Sequence, residues 1–230
     1  MKNRFLLFII LFCVTSCFAQ DTVKQKNRLT DSVIERFYVL RSDKTIKEGL
    51  YKAFFKRKTL IASGNYSKNL KTGIWQFSDR RGRLVEKYDY DKNRFTYIAP
   101  LWAPEYLSLL FDDTLKEGDR ITRPLKIGGI YYGYIPYVNL FQLPFDTFGV
   151  STYAFHAYVE LLISPLGRLA DYNVRIVSSY YDYDHTFNLD VKLFNEADRT
   201  FIPATLNGKR VMSRIVIKCF VTPSGGLDFY

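Results

Sequence analysis

Lys71-Thr72-Gly73-Ile74-Trp75-Gln76-Phe77 is the stretch that decides the fold, because it has a partner 24 residues earlier. Gly49 matches Gly73, Tyr51 matches Trp75, Leu60 matches Leu84 and Tyr66 matches Tyr90. Gly64-Asn65-Tyr66 adds a third Gly-x-aromatic step between them. A fixed period in the low twenties signals small repeated supersecondary units. Each unit reads as an aromatic strand, a basic turn and a second strand. Lys56-Arg57-Lys58 and Arg80-Arg81-Gly82 are the equivalent turns. Outward from this stretch, the repeat predicts an extended β-meander whose aromatic residues pack on one another.

The rest of the chain sets the limits. It has 230 residues, of which 47% are hydrophobic and 17% aromatic. That excludes a disordered chain, which lacks the apolar surface to offset its ordering entropy. There are 33 Lys and Arg against 23 Asp and Glu, for a net charge of +10. With 2 His and 3 Cys, zinc clusters and multi-disulfide scaffolds are disfavoured.

The start of the chain reads as an export signal. Lys2 and Arg4 precede an apolar run from Phe5 to Val14, followed by small and polar residues. The run is shorter than the roughly 20 residues a spanning helix needs. Two processing readings stay open. Ala19 suits ordinary cleavage before Gln20 or Asp21. Alternatively, Val14-Thr15-Ser16-Cys17 resembles a bacterial lipobox, with Cys17 as the lipidated first residue. Phe18-Ala19-Gln20-Asp21 resembles the exported proteins of Bacteroidetes-type bacteria. Export turns the basic charge away from nucleic acid and toward envelope anions, or simply toward solubility. Cys219 is then left without an intrachain disulfide partner.

In the C-terminal half, Ala154 to Ile163 alternates apolar and polar residues. Ser164-Pro165-Leu166-Gly167 forms a turn, and Arg168 to Ser178 returns as a second strand. Glu105 to Phe111 reads as one or two helical turns. Leu29 to Leu40 reads as either a short helix or a first strand. Phe187 to Arg199 is the helix candidate, with Asp184 or Thr186 as its cap. Asn207-Gly208 makes a tight turn into a last strand, with Val211 to Val221 as the sheet edge.

Two family resemblances rest on these residues. Residues 46–95 resemble the MORN-like (antitoxin-like) repeats of bacteria, with Lys71-Thr72-Gly73-Ile74-Trp75 as the usual opening. Residues 122–222 resemble a TonB C-terminal-like domain. The match rests on Pro124, Gly128-Gly129, Asn139-Leu140 and Phe201-Ile202-Pro203-Ala204-Thr205-Leu206-Asn207-Gly208-Lys209-Arg210-Val211. Pro136 weakens the short helix expected after Gly129. The energy-transducing members keep a membrane helix and a long Pro-rich span, whereas this chain has a cleavable leader and 8 Pro along its length.

Together these readings predict an α+β protein. A β-meander of hairpin repeats is followed by a small α+β domain with an antiparallel sheet and one or two helices. The expected layout is a signal peptide at 1–20, an N-terminal segment at 21–45 and repeats at 46–96. A connector at 97–121, the C-terminal domain at 122–222 and a tail at 223–230 complete it.

No Gly-x-Ser-x-Gly, His-Glu-x-x-His or phosphate loop is present, so a non-enzymatic protein is expected, with no cofactor. Asp182, Asp184 and His185 read as a loop and helix cap rather than a metal site, and His156 as the polar face of a strand. The resemblance to TonB-like domains implies an interaction module that takes up an extended peptide by strand addition. Val211, Arg214, Ile215, Val216, Ile217 and Lys218 are then the acceptor edge, shielded in the free protein by a homodimer or by the repeats. The expected partner is an envelope protein or peptide such as an outer-membrane receptor, with membrane contact only through a lipid on Cys17. The alternative is a structural or cell-wall glycan-binding protein that uses the aromatic, basic repeat surface. Either way the expected location is the periplasm or the outer membrane.

The leader carries a direct test. Mass spectrometry of the protein from its native envelope should find a chain that begins at or after Cys17. A diacyl mass on Cys17 selects the lipoprotein, and an intact Met1 excludes both processing readings.

Overall fold

The computed structural model describes residues 21–100, 106–111, 114–144 and 151–230. The leader, Cys17 and Pro104 lie outside them. The repeat stretch forms strands as read. β1 (Thr22–Arg28), β2 (Val33–Leu40), β3 (Gly49–Phe55), β4 (Thr59–Ser67), β5 (Leu70–Ser78), β6 (Leu84–Asp89) and β7 (Arg94–Ile98) make one seven-stranded antiparallel meander in chain order. Leu29 to Leu40 resolves to a strand, because β1 and β2 form a hairpin that extends the repeat sheet backward. Trp75 and Tyr51 are both fully buried, with ring centroids 5.2 Å apart, as the repeat requires. Trp75 lies directly on Gly64: a Cβ there would stand 2.2 Å from the indole. Its Nε1 donates to the Asn65 carbonyl at 3.1 Å. Gly64 is therefore a close-approach residue, and the indole fills the space a side chain would take.

The second sheet is built from β8 (Leu107–Phe111), β10 (His156–Ile163), β11 (Leu169–Ser178), β12 (Tyr183–Asn188), β15 (Ser213–Val221) and β16 (Leu227–Phe229). Its order is β12-β11-β10-β15-β16, with β8 also paired to β15. The hairpin of β10 and β11 follows the sequence reading, with Phe155, Ala157, Val159, Leu161 and Ile163 buried. A small third sheet joins β9 (Ile121–Thr122), β13 (Thr205–Leu206) and β14 (Lys209–Arg210) around the Asn207-Gly208 turn.

The α+β expectation is overturned. Strands make up 52% of the structure and helical turns 7%, and the one α-helix among the described residues, α1 (Ile135–Asn139), has five residues. The helix expected at 187–199 is absent. Tyr183, His185 and Phe187 stack along one face of β12 at period two, and β12 pairs in register with β11. Beyond it, Asp190 accepts from the Lys192 N–H and Asn195 from the Asp198 N–H. The first of these caps a three-residue 3-10 turn at Val191–Leu193, which ends in extended backbone at Phe194, so no α-helix propagates. Of the helical turns expected at Glu105–Phe111, Glu105 lies outside the described residues, and Leu107–Phe111 form β8, a strand against β15. Pro136 does not weaken α1. It sits in the first turn, where its missing N–H costs nothing.

Tyr106 and Leu107, from the expected connector at 97–121, are buried in the core. One cluster of buried side chains runs from Val33 to Phe229 through both sheets. Residues 123–144 form the layer between them. Tyr131 packs on Phe55 and Phe229, Tyr132 on Tyr51 and Phe77, and Tyr137 on Phe194 and Phe201. Two buried acids span the junction. Glu86 accepts from the N–H groups of Gly128 and Gly129 at 2.8 and 3.2 Å, and Asp228 accepts from the Ser32 N–H at 3.0 Å.

Since Trp75 is enclosed on all sides, Trp75→Ala should cost about 3–5 kcal/mol. Gly64→Ala should also destabilise, by displacing the ring. Chemical denaturation checks both. A Trp75→Ala protein of unchanged stability would remove the repeat core.

Candidate ligand-binding site

The expected acceptor edge lies in the middle of a sheet. β15 pairs with β10 along Ser213–Phe220 on one side. On the other side Ser213–Ile217 pair with β8 and Cys219–Val221 with β16. Ile215 and Ile217 are fully buried, and Val216 stands between Glu160 and Ser108. Arg214 binds the Glu160 carboxylate at 2.8 Å. Lys218 alone of the six is exposed, with its ammonium 5.1 Å from the Tyr230 ring centre and its N–H on the Tyr106 carbonyl. Val211 precedes the strand and donates its N–H to Ala204. Edge recognition at Val211–Lys218 is therefore corrected: the chain fills that position with its own β8 and β16. Cys219 is buried on the same strand, and burial pushes its thiol pKa up.

The other candidates are also engaged. Asp184 holds the Arg175 guanidinium through both oxygens, at 2.8 and 2.6 Å. The His185 ring lies against Phe187. His156 Nδ1 meets the Tyr230 hydroxyl. Among the described residues no group of three His, Cys, Asp or Glu is placed to hold a metal ion.

The concave site lies elsewhere, where the repeat sheet meets the central layer. A half-open cavity of about 430 Å³ is lined by Tyr66, Asn69 and Lys71 from the β4–β5 hairpin. Tyr132, Ile135 and Asn139 come from the layer around α1, and Asn195 and Asp198 from the loop after β12. A volume of this size suits a small ligand. The turn Lys68-Asn69 has positive φ at both residues, and Asn69 Oδ1 accepts from the Lys47 N–H at 2.7 Å. A second cavity of about 200 Å³ adjoins the first, sharing Leu29 and Asn139 with it. It is lined by Arg28, Asp31, Gln142 and Ser224 among others.

Lys71 gives the site its charge. It and Lys47 are 24 residues apart, so they are mates in the repeat. Each lies over aromatic rings. The Lys47 ammonium is 4.4 Å from the Phe37 ring centre, and that of Lys71 is 4.9 Å from Trp75 and 5.4 Å from Tyr90. Lys47 is balanced by the Glu35 carboxylate at 3.7 Å. Among the described residues Lys71 has no carboxylate at ion-pair distance; its bond is to the Tyr90 hydroxyl at 3.4 Å. Asp198, the acid in the cavity wall, is already paired with the buried Lys126 at 3.5 Å. Burial, and then the nearby positive charge of Lys126, push the Lys71 pKa down to about 8. Burial also depresses Lys126, against the pull of Asp198.

Composition and spacing alone did not single out this site. The signal that was available is the pair Lys47 and Lys71 at the repeat offset, and only the fold shows that one of them lacks a counter-charge. In comparisons with known proteins, no family model, curated protein or solved structure matches the chain.

A lysine whose folded pKa is depressed carries a penalty that is fully present below pH 8 and is relieved as the pH rises toward the ordinary lysine value. Replacing Lys71 with Met removes that penalty. The stability of Lys71→Met relative to wild type should therefore be greater at pH 7 than at pH 10, by about 1–2 kcal/mol after solvent screening. Denaturant titrations at the two pH values check this. An unchanged difference would show that Lys71 titrates as an exposed lysine.

Proposed function

We propose that the protein is a non-enzymatic cell-envelope protein that binds glycan through the aromatic, basic face of its repeats. The observation that carries this reading is the cleft where that face meets the central layer. The half-buried rings of Tyr66 and Tyr132, the amides of Asn69, Asn139 and Asn195, and the cation of Lys71 share one cavity. Ring faces suit the C–H face of a pyranose, and amides offer both donors and acceptors to hydroxyl and acetamido groups. The adjoining cavity at Asn139 favours a ligand longer than one sugar. The competing reading, an extended peptide added to β15, has lost its edge to β8 and β16. MORN-like repeats, a TonB-like C-terminal half and export into the envelope belong to the same proposal. They rest on the residues quoted above and on the paired strands of the repeat.

Co-sedimentation with purified cell-wall sacculi tests the reading. The protein should pellet with sacculi and remain soluble without them. Asn69→Gly keeps the positive φ of the turn and removes the amide together with its bond to the Lys47 N–H, so it should weaken retention at a cost of about 1 kcal/mol in stability. Failure of the wild type to pellet, with recovery of an outer-membrane receptor in an envelope crosslinking experiment, would replace glycan binding with peptide binding.

A further inference from the structure

Taking the cleft as a glycan site, as proposed above, we infer that it selects an acidic sugar, with Lys71 receiving the carboxylate of a substituent on the sugar. The reason is a charge count made from neighbours. Lys47, the mate of Lys71 in the repeat, has its acid in Glu35. Lys126, across the cavity wall, has Asp198. Glu86 is spent on the Gly128 and Gly129 N–H groups. Among the described residues Lys71 is left as the one cation on the cavity wall, and its hydrogen bond is to the neutral Tyr90 hydroxyl.

A half-buried ammonium without a counter-charge is a standing cost, and a ligand anion removes it. One unbalanced charge calls for a monoanion. A doubly charged phosphate would also face Asp198, whose Oδ2 accepts from the Asn195 amide at 2.8 Å. The remaining wall is made for a sugar rather than a bare ion. Asn69 is pinned through its Oδ1 by the Lys47 N–H, which leaves its NH₂ as a donor. Asn139 is pinned by donating to the Leu29 carbonyl, which leaves its oxygen as an acceptor. These fixed amides flank the rings of Tyr66 and Tyr132. The ligand class is thus an N-acetylated sugar acid, such as muramic acid whose lactyl carboxyl is free of peptide.

The test uses two sugars that differ only in the lactyl ether at O3, which carries the acid. The full-length folded protein is titrated calorimetrically with N-acetylmuramic acid, with N-acetylglucosamine and with inorganic phosphate at pH 7. N-acetylmuramic acid should bind about 10-fold more tightly than N-acetylglucosamine, the effect of one charge-assisted hydrogen bond. Lys71→Met should bring it down to the N-acetylglucosamine level, and Lys71→Arg should keep part of the preference. The loss of N-acetylglucosamine affinity on the same substitution should be smaller than the loss of N-acetylmuramic acid affinity, so that the ratio between the two sugars falls to about one. Equal binding of the two sugars by the wild type would overturn the role of Lys71 while glycan binding in the cleft stands. Phosphate binding as tight as the sugar acid would overturn the sugar and leave a simple anion site. No binding of any probe, together with failure to pellet with sacculi, would overturn both the acid preference and the glycan reading.

Discussion

The grip of the Glu86 carboxylate on the N–H groups of Gly128 and Gly129 is the contact on which the rest depends. It fixes the corner where the chain leaves the second sheet's side and lies down on the repeat. The corner tolerates little else. A Cβ on Gly129 would stand 2.9 Å from Val85, and one on Gly128 would stand 2.6 Å from the Gly133 backbone. Both glycines also have positive φ. With the corner seated, Tyr132 falls onto Phe77 and its hydroxyl reaches that of Tyr51 at 2.8 Å. That placement closes one wall of the cleft. Burial pushes the Glu86 pKa up to about 7, and the two N–H groups, Arg123 and Lys126 pull it the other way. The clamp is a costly acid held by geometry, which fits a device that positions elements more than one that stabilises them.

The repeat was legible because its signal is doubly encoded. Gly64 and Trp75 are one contact seen from two sides, and Tyr51 and Trp75 occupy matching buried places, so sequence offset and packing agree. The hairpin of β10 and β11 was legible for the same reason, since strict alternation has one reading when one face is buried. The helix at 187–199 failed where two periods overlap. Phe187, Val191 and Phe194 fit a helical stripe, but Tyr183, His185 and Phe187 fit a strand, and the unpaired side of β11 decided between them. Nothing local in Tyr106 to Phe111 says that it pairs with β15. That contact spans about a hundred residues of chain and exists only because β15 has a second side to satisfy.

The same constraint removed the expected site. A strand with alternating Ile215, Ile217 and Cys219 looks like an edge in sequence, because sequence shows the side chains and not the neighbours. Once β8 and β16 are in place, its backbone groups are spent within the chain. The cleft was hidden for the opposite reason. Its residues are ordinary in composition, and they come from the β4–β5 turn, α1 and the loop after β12, which are far apart in sequence.

Lys71 shows how a repeat can build a site without a motif. Duplicating a unit copies its lysine onto the same aromatic seat, which is why Lys47 and Lys71 both lie over rings. It does not copy the acid, because Glu35 belongs to β2, before the first repeated strand, and Lys47 has already claimed it. The next copy of the seat therefore meets a different neighbour. For Lys71 that neighbour is the wall formed by Tyr132 and Asp198, where the one carboxylate among the described residues is bound to Lys126. A packing cation in one unit becomes an uncompensated cation in the next. Stability alone would favour an apolar side chain at that place, so the charge of Lys71 is a cost that the folded chain does not offset with an acid of its own among the described residues.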